Sequence, residues 1–244
     1  MSNLNVLIII PCYNEGANIG KLLDELIQLK ISRVRLQPLP VNDCSLDNTL
    51  NEIKKRTSTF LDLPINLGIG GAVQSGFKYA HKNNFDAAIQ LDGDGQHPIN
   101  EIKNLIEPLI NKEADIVIGS RFIEKQGFQS TIMRRAGIKY FKNLNKFLLG
   151  LKITDSTSGF RALNNKALQV VCDYYPDEYP EPEAIVLYTL NHLSIKEIPV
   201  MMNERQGGQS SIRSFSSIYY MIKVSLGILF IYIRLKFNGK RNPL

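Results

Sequence analysis

Tryptophan is absent, and cysteine and histidine occur three times each in 244 residues. The cysteines, Cys12, Cys44 and Cys172, are odd in number and form no C-x-x-C pair. That pattern excludes a disulfide scaffold and a thiolate zinc site, and it suits a reducing compartment. No stretch reaches the ~18–20 uninterrupted apolar residues of a spanning helix. The longest late apolar segment, residues 218–233, would rise ~24 Å in a helix, short of the ~30 Å hydrocarbon core. No basic leader precedes an apolar run at the start. "LNVLIII" runs straight into "PCYNE", which reads as a first strand rather than a signal peptide. Repeats and low-complexity segments are missing. A G-K-[ST] sequence is missing too, which rules out a Walker loop. "GIGGAVQSG" has Val73 where a dinucleotide fingerprint ends in glycine, and it follows the third strand rather than the first, so that reading also fails.

What remains is ordinary globular material with a basic lean. Hydrophobic residues make up 44% and charged residues 21%, enough for one large domain or two small ones. The net charge of +6 and pI of about 9.1 suit an anionic partner: nucleic acid, a phosphate-bearing substrate or an anionic membrane surface. No basic-and-aromatic nucleic-acid motif accompanies the charge, so nucleic acid is not expected as a partner.

Up to residue 120, short apolar runs alternate with amphipathic segments. Strands are expected at 5–10, 33–41, 60–63, 87–91 and 115–119, with helices at 17–29, 47–55, 71–82 and 99–112. This alternation implies βαβ units and a mostly parallel α/β sheet. Pro38 and Pro40 make the second strand an edge or irregular one. Further on, helices are expected at about 131–149 and 166–174 and from "YPEPEA" onward, with a late strand at "IKEIPVMM". The stretch "ITDSTSGFRA" reads as a loop, and "NERQGGQSSI" as a glycine-rich one.

In such a sheet, ligands bind beyond the carboxyl ends of the strands. The polar clusters "PCYNE", "NDCSLDNT", "NLGIGGA", "DGDGQH" and "GSRF" follow strands one to five and therefore share that edge. The most telling is Asp92-Gly93-Asp94-Gly95-Gln96. In an extended turn the i and i+2 side chains face the same way, so Asp92 and Asp94 can meet one cation, with the Gln96 carbonyl oxygen in the same register. Hard oxygen donors favour Mg²⁺ or Mn²⁺, and Mg²⁺ takes few protein ligands plus substrate phosphates. An EF-hand is excluded, because His97 and Lys103 stand where glycine and glutamate are required. A plain Asp-Gly turn is the competing account of the stretch. His97 reads as a support or cap rather than a ligand. Arg121, directly after strand five, and Arg134 and Arg135 in the next helix suit bidentate phosphate recognition.

The ordered motifs "IIIPCYNE", "VNDCSLDNT", "NLGIGGAVQSGFKYA", "LDGDGQHP", "IVIGSRF", "DSTSGFRA" and "NERQGGQSSI" resemble the family-2 inverting glycosyltransferases. The likeness is to their dolichyl- and polyprenyl-phosphate sugar synthase branch, and it covers about residues 4–213. It implies a GT-A, Rossmann-like fold with helices on both faces of the sheet, a nucleotide-sugar donor and a divalent metal. By the same resemblance, Pro11, Tyr13, Glu15 and Asp43 hold the donor's base and ribose. Asp92, Asp94 and Gln96 hold metal and diphosphate; Arg121, Arg134 and Ser158 serve the acceptor; Arg205 closes over the diphosphate. A phosphate acceptor needs no general base. A sugar hydroxyl would, and Glu183, Glu181 and Asp155 are the candidates. The implied reaction moves a hexose, from a UDP-sugar by expectation, to undecaprenyl phosphate. Its alternative is transfer to a hydroxyl of a lipid-linked saccharide in surface-polysaccharide synthesis. A non-catalytic nucleotide-sugar or anionic-lipid binding protein is a third reading. Residues 1–211 are expected as the catalytic domain. Residues 212–244 are expected as an apolar helix and basic tail that meet a membrane, a second copy or a small membrane protein. The expected location is cytoplasmic, peripheral on the inner face of the membrane.

Overall fold

The computed structural model describes residues 3–124, 132–202 and 216–238. Its centre is a seven-stranded sheet in the order β3-β2-β1-β4-β6-β5-β7. β1 (Leu4–Cys12) and β4 (Ala87–Gln90) lie in the middle and are buried almost throughout. Their near-continuous apolar runs are those of parallel strands covered on both faces. Alternation along β1 divides the core. Val6, Ile8 and Ile10 pack with Leu23 and Leu26 of α1 (Ile19–Gln28) and with Leu105 and Ile106 of α4 (Ile102–Ile110), which follows a short 3₁₀ turn. Leu7 and Ile9 pack on the other face with Val73 and Phe77 of α3 (Gly68–Lys82), Leu168 of α6 (Asn165–Asp173) and Leu187 of α7 (Pro180–Leu190).

β2 (Val34–Asn42) pairs with β1 along its whole length, but the two-residue β3 (Leu61–Asp62) covers only Val41 and Asn42. Pro38 and Pro40 therefore precede the only part of the outer edge that pairs, where a missing N–H costs no ladder bond. α2 (Thr49–Lys54) links these two strands. β5 (Ile116–Ser120) is parallel to β7 (Ile195–Pro199) at the far edge.

β6 (Arg161–Asn164) departs from expectation. It begins in the last two residues of the stretch read as a loop, Arg161 and Ala162, runs on to Asn164, and is antiparallel to both β4 and β5. Strand five is thus separated from the D-x-D strand by β6. Because β6 runs backwards, it meets the functional edge with its beginning. The residues just before it are delivered to the same rim as the strand ends.

α5 (Ile132–Leu149) and α8 (Ser216–Asn238) form a third cluster with α7. α8 is longer than the expected sixteen-residue segment: its 23 residues rise ~34 Å. Length therefore does not keep it from spanning a bilayer. Even so, among the described residues no helix is both long and apolar enough to cross a membrane.

Candidate active site

The loops after β1 and β2 are tied to each other through side chains. Asn14, at φ 56°, donates its N–H to Ser45 Oγ (3.0 Å), and its Oδ1 accepts the Leu46 N–H (2.8 Å). Asp47 accepts the N–H groups of Gly16 (3.0 Å) and Thr49 (2.9 Å), and the Glu15 N–H reaches Thr49 Oγ1 (2.8 Å). Asp43 is buried. Its two carboxylate oxygens accept the N–H groups of Leu67 (2.7 Å) and Gly68 (2.9 Å), where α3 begins. That contact puts a negative charge at a positively polarised helix start. Pro11 is buried beside this frame, whereas Tyr13 is 48% exposed at its mouth.

β4 ends at Gln90, and the acidic pair follows. The Asp92 N–H donates to His97 Nδ1 (3.0 Å), which leaves the imidazole proton on Nε2, 3.5 Å from Asp92 Oδ2. His97 stacks on Phe160 at 5.0 Å. Burial pushes the imidazole down to about 4; the Asp94 carboxylate opposes this and the Arg121 charge adds to it. His97 is therefore a neutral brace that sets the Asp92 backbone. Asp94 Oδ1 accepts the Gln96 N–H (3.0 Å), and Gly95 sits at φ 75°, a left-handed turn that a side chain would strain. Gly159 packs closely on the pair: a Cβ there would stand 3.1 Å from either carboxylate oxygen of Asp92, which would have to give by a few tenths of an ångström.

The other wall comes from the far half of the sheet. Arg121 clamps Asp155 with two parallel bonds, Nε to Oδ2 (2.7 Å) and Nη2 to Oδ1 (2.8 Å), and reaches Thr157 Oγ1 (3.2 Å). Burial acts to lower the guanidinium's pKa; the bonds and charge of Asp155, with the charge of Asp92, outweigh that and raise it. Glu197 of β7 holds the loop in turn, accepting Thr154 N–H (2.7 Å), Thr154 Oγ1 (2.9 Å) and Asp155 N–H (2.8 Å). A relay thus runs from the sheet's outer strand through Asp155 and Arg121 toward Asp92. Arg161, fully buried, donates to the carbonyls of Ser158 (2.7 Å), Ser156 (2.9 Å) and Glu181 (2.8 Å) and so fastens the loop to α7. Neither Glu197 nor Arg161 stood out in the sequence. An arginine inside the apolar stretch "FRAL" was the available signal for one; nothing marked the other.

Residues 7–172 match the description "Glycosyl transferase family 2". The chain belongs to glycosyl transferase family 2. It is a nucleotide-sugar-dependent glycosyltransferase. It is 29% identical over 220 residues to the UDP-N-acetylglucosamine–dolichyl-phosphate N-acetylglucosaminyltransferase of Methanococcus voltae, covering 82% of this chain and 86% of that one. It is 28% identical to the undecaprenyl-phosphate mannosyltransferase of Micrococcus luteus, covering 86% and 88%. Among solved structures it resembles the Mycobacterium tuberculosis glucosyl-3-phosphoglycerate synthase with Mn²⁺, uridine-diphosphate and glucosyl-3-phosphoglycerate. The TM-score is 0.70 at 16% identity, over 94% of this chain and 80% of that one. The mannosyl-3-phosphoglycerate synthase of Rubrobacter xylanophilus gives a TM-score of 0.72 at 18% identity, over 99% and 77%. These likenesses establish the GT-A fold.

Within this glycosyltransferase the two helix-start carboxylates part company. Glu181 Oε1 accepts Gln90 Nε2 (3.3 Å) at the end of the D-x-D strand. Burial raises the Glu181 pKa, Arg161 opposes the rise and the Asp92 charge adds to it. Glu183 faces the other way. Its carboxyl carbon lies 2.6 Å from where a Cβ on Gly227 of α8 would stand, and burial, with Glu178 and Asp177, raises its pKa to about 7. Glu183, expected among the catalytic residues, is thus placed in the α7–α8 seam, because its helical position points away from the β4 end.

Among the described residues no three His, Cys, Asp or Glu side chains gather as a metal cluster. Asp92 and Asp94 nonetheless fit an ion that draws its remaining ligands from a diphosphate and water, since both offer hard oxygens at the rim. Gln96 enters this set through its backbone bond to Asp94. Ser158 is buried in the turn, its Oγ accepting the Phe160 N–H (3.3 Å). The Arg134 side chain and Arg205 lie outside the described residues.

Proposed function

We propose that this enzyme transfers a hexose, with inversion, from a nucleoside-diphosphate sugar to a polyprenyl phosphate at the cytoplasmic face of a membrane. The observation that carries the reading is the juxtaposition of Asp92 and Asp94 with Arg121, whose charge Asp92 feels across the rim. Two curated relatives named for dolichyl and undecaprenyl phosphate support a lipid-phosphate acceptor, and the first of those names supports a UDP-sugar donor. In this reading Pro11, Tyr13, Glu15 and Asp43 frame the base and ribose. Residues 1–211 are the catalytic unit, and 212–244 the segment that meets the membrane.

Asp92 and Asp94 would hold Mg²⁺ or Mn²⁺ by their carboxylates. That ion, when bound, offsets the charge gathering on the departing nucleoside diphosphate. The family resemblance assigns Arg205, which follows β7 in the sequence, to the same charge. Arg121, kept rigid by Asp155 and Glu197, presents positive charge to the acceptor phosphate, and the family resemblance assigns Arg134 and Ser158 to the same acceptor. A phosphate is already an anion, so orientation rather than proton removal carries this step. One observation favours the runner-up, transfer to a saccharide hydroxyl: the raised carboxyl of Glu181 beside Asp92 is placed to take a proton.

The test offers labelled UDP- and GDP-sugars with Mn²⁺ or Mg²⁺ and undecaprenyl phosphate. Label is expected in the organic phase, and Asp94→Asn is expected to reduce it about 10²–10³-fold, as for other removed transition-state charge stabilisers. Glu181→Gln is expected to leave most of this transfer intact. No label with any donor, or full activity in Asp94→Asn, overturns the reading. Transfer to a lipid-linked saccharide that Glu181→Gln abolishes installs the runner-up.

A further inference from the structure

α8 has two apolar faces. The inner one buries Val224, Ile228 and Ile231 against Phe141 of α5 and Val186 of α7. The outer one carries Ile222, Leu226, Leu229 and Ile233 at alternating spacings of four and three, with Phe230 and Phe237 beside them, 65% and 71% exposed. On the adjoining α5, Phe147 is 86% exposed. α5 and α8 touch through Tyr140 Oη and Ser225 Oγ at 3.0 Å. A contiguous apolar stripe of this kind marks an interaction surface.

Charge selects the occupant. α5 carries five basic residues and α8 three, and neither helix contains an aspartate or a glutamate. The spacing along α8 would suit a coiled coil, but a second copy would set basic flank against basic flank, and the acidic side chain at that flank, Glu178, is already paired with Lys223. Anionic headgroups fit what a second copy does not: apolar side chains enter the interface while lysines and arginines meet phosphates. We propose that the outer face of α8, flanked by α5, is a docking surface for an anionic lipid bilayer, with α8 lying along the interface. This deepens the lipid-acceptor reading and rests on it for the purpose of docking, though not for the observations.

The stripe is also keyed to the catalytic rim. Glu183 packs against Gly227 in the middle of α8, while Glu181, two residues earlier in α7, bonds Gln90 at the end of the D-x-D strand. A bilayer under α8 would therefore be separated from Gln90, at the end of the D-x-D strand, by the single helix α7.

Flotation of the full chain with phosphatidylcholine vesicles, alone or with about a third phosphatidylglycerol, tests the surface. Binding is expected to the anionic vesicles, weakened by salt. Phe230→Ser with Phe237→Ser, and separately Lys139→Glu with Lys146→Glu, should each reduce partitioning roughly tenfold with unchanged melting. Both variants should lose transfer to vesicle-embedded acceptor while keeping transfer to a short, water-soluble prenyl phosphate. Equal binding to both vesicle types, or binding indifferent to both double changes, overturns the proposal. So does a solution dimer that the phenylalanine changes dissolve. Docking by a chain that glycosylates neither acceptor supports the surface and sinks the acceptor reading instead.

Discussion

The two sides of the molecule are built on opposite plans. On the β1–β4 side, polar side chains are spent on the protein itself: Asp43 on the start of α3, Asp47 on two loops, Asn14 on its neighbour across the cleft. On the α5–α8 side, one apolar face is packed and the other left in the open. The difference teaches where rigidity is needed. A small charged donor must be met by groups already in place, since reorganising them would consume the stabilisation they provide. A long greasy acceptor needs a surface to approach along and little precision until its phosphate arrives.

Substitutions can break or sharpen that contrast. The largest stability loss is expected at Gly70, in the first turn of α3, where a Cβ would stand 2.1 Å from the Pro176 carbonyl oxygen and 2.2 Å from that of Asp177. Backbone cannot step aside as a side chain can, so Gly70→Ala should cost about 3 kcal/mol in denaturant unfolding. Next comes Asp43→Ala, which strips two backbone N–H groups of their acceptor; about 1–2 kcal/mol should be lost, together with donor affinity measured by titration calorimetry.

Glu183→Gln should act in the opposite direction. The folded protein holds this carboxyl at about 7 against its ordinary 4.5, so it binds the proton more tightly than the unfolded chain does. Wild-type stability from this group is greatest below 4.5 and falls as pH rises through 7. The glutamine variant should therefore gain on the order of 1 kcal/mol near pH 8 and nothing near pH 4, as read by parallel melts. Smallest of all, Leu226→Ser on the outer face of α8 should leave stability within about 0.5 kcal/mol. A large loss there would mean that the stripe is part of the core after all.

Much of the β1–β4 rim could be read in advance, because its signals are local. Apolar runs end in Asp, Asn and Gly clusters, and a parallel sheet puts all such ends on one rim. The wall built on Arg121 and Asp155 was harder, since its architecture depends on pairings remote in sequence. β6 is four residues long and contains a buried arginine, so neither length nor alternation betrayed it. The bond between Arg121 and Asp155 spans 34 residues, and Glu197 reaches its loop from 42 residues away. Glu181 and Glu183 look equivalent in "YPEPE"; only the packing of α7 between β4 and α8 turns one toward the rim and the other toward the seam.

The reversed direction of β6 has an architectural corollary. β1, β2 and β4 deliver their tip residues as they leave the sheet, with a ladder behind and a helix ahead. The segment from Asp155 to Gly159 arrives from outside, on its way in. Its attachments are side-chain bonds to Arg121, Arg161 and Glu197 rather than ladder rungs, so its shape answers to three side chains instead of to a neighbouring strand.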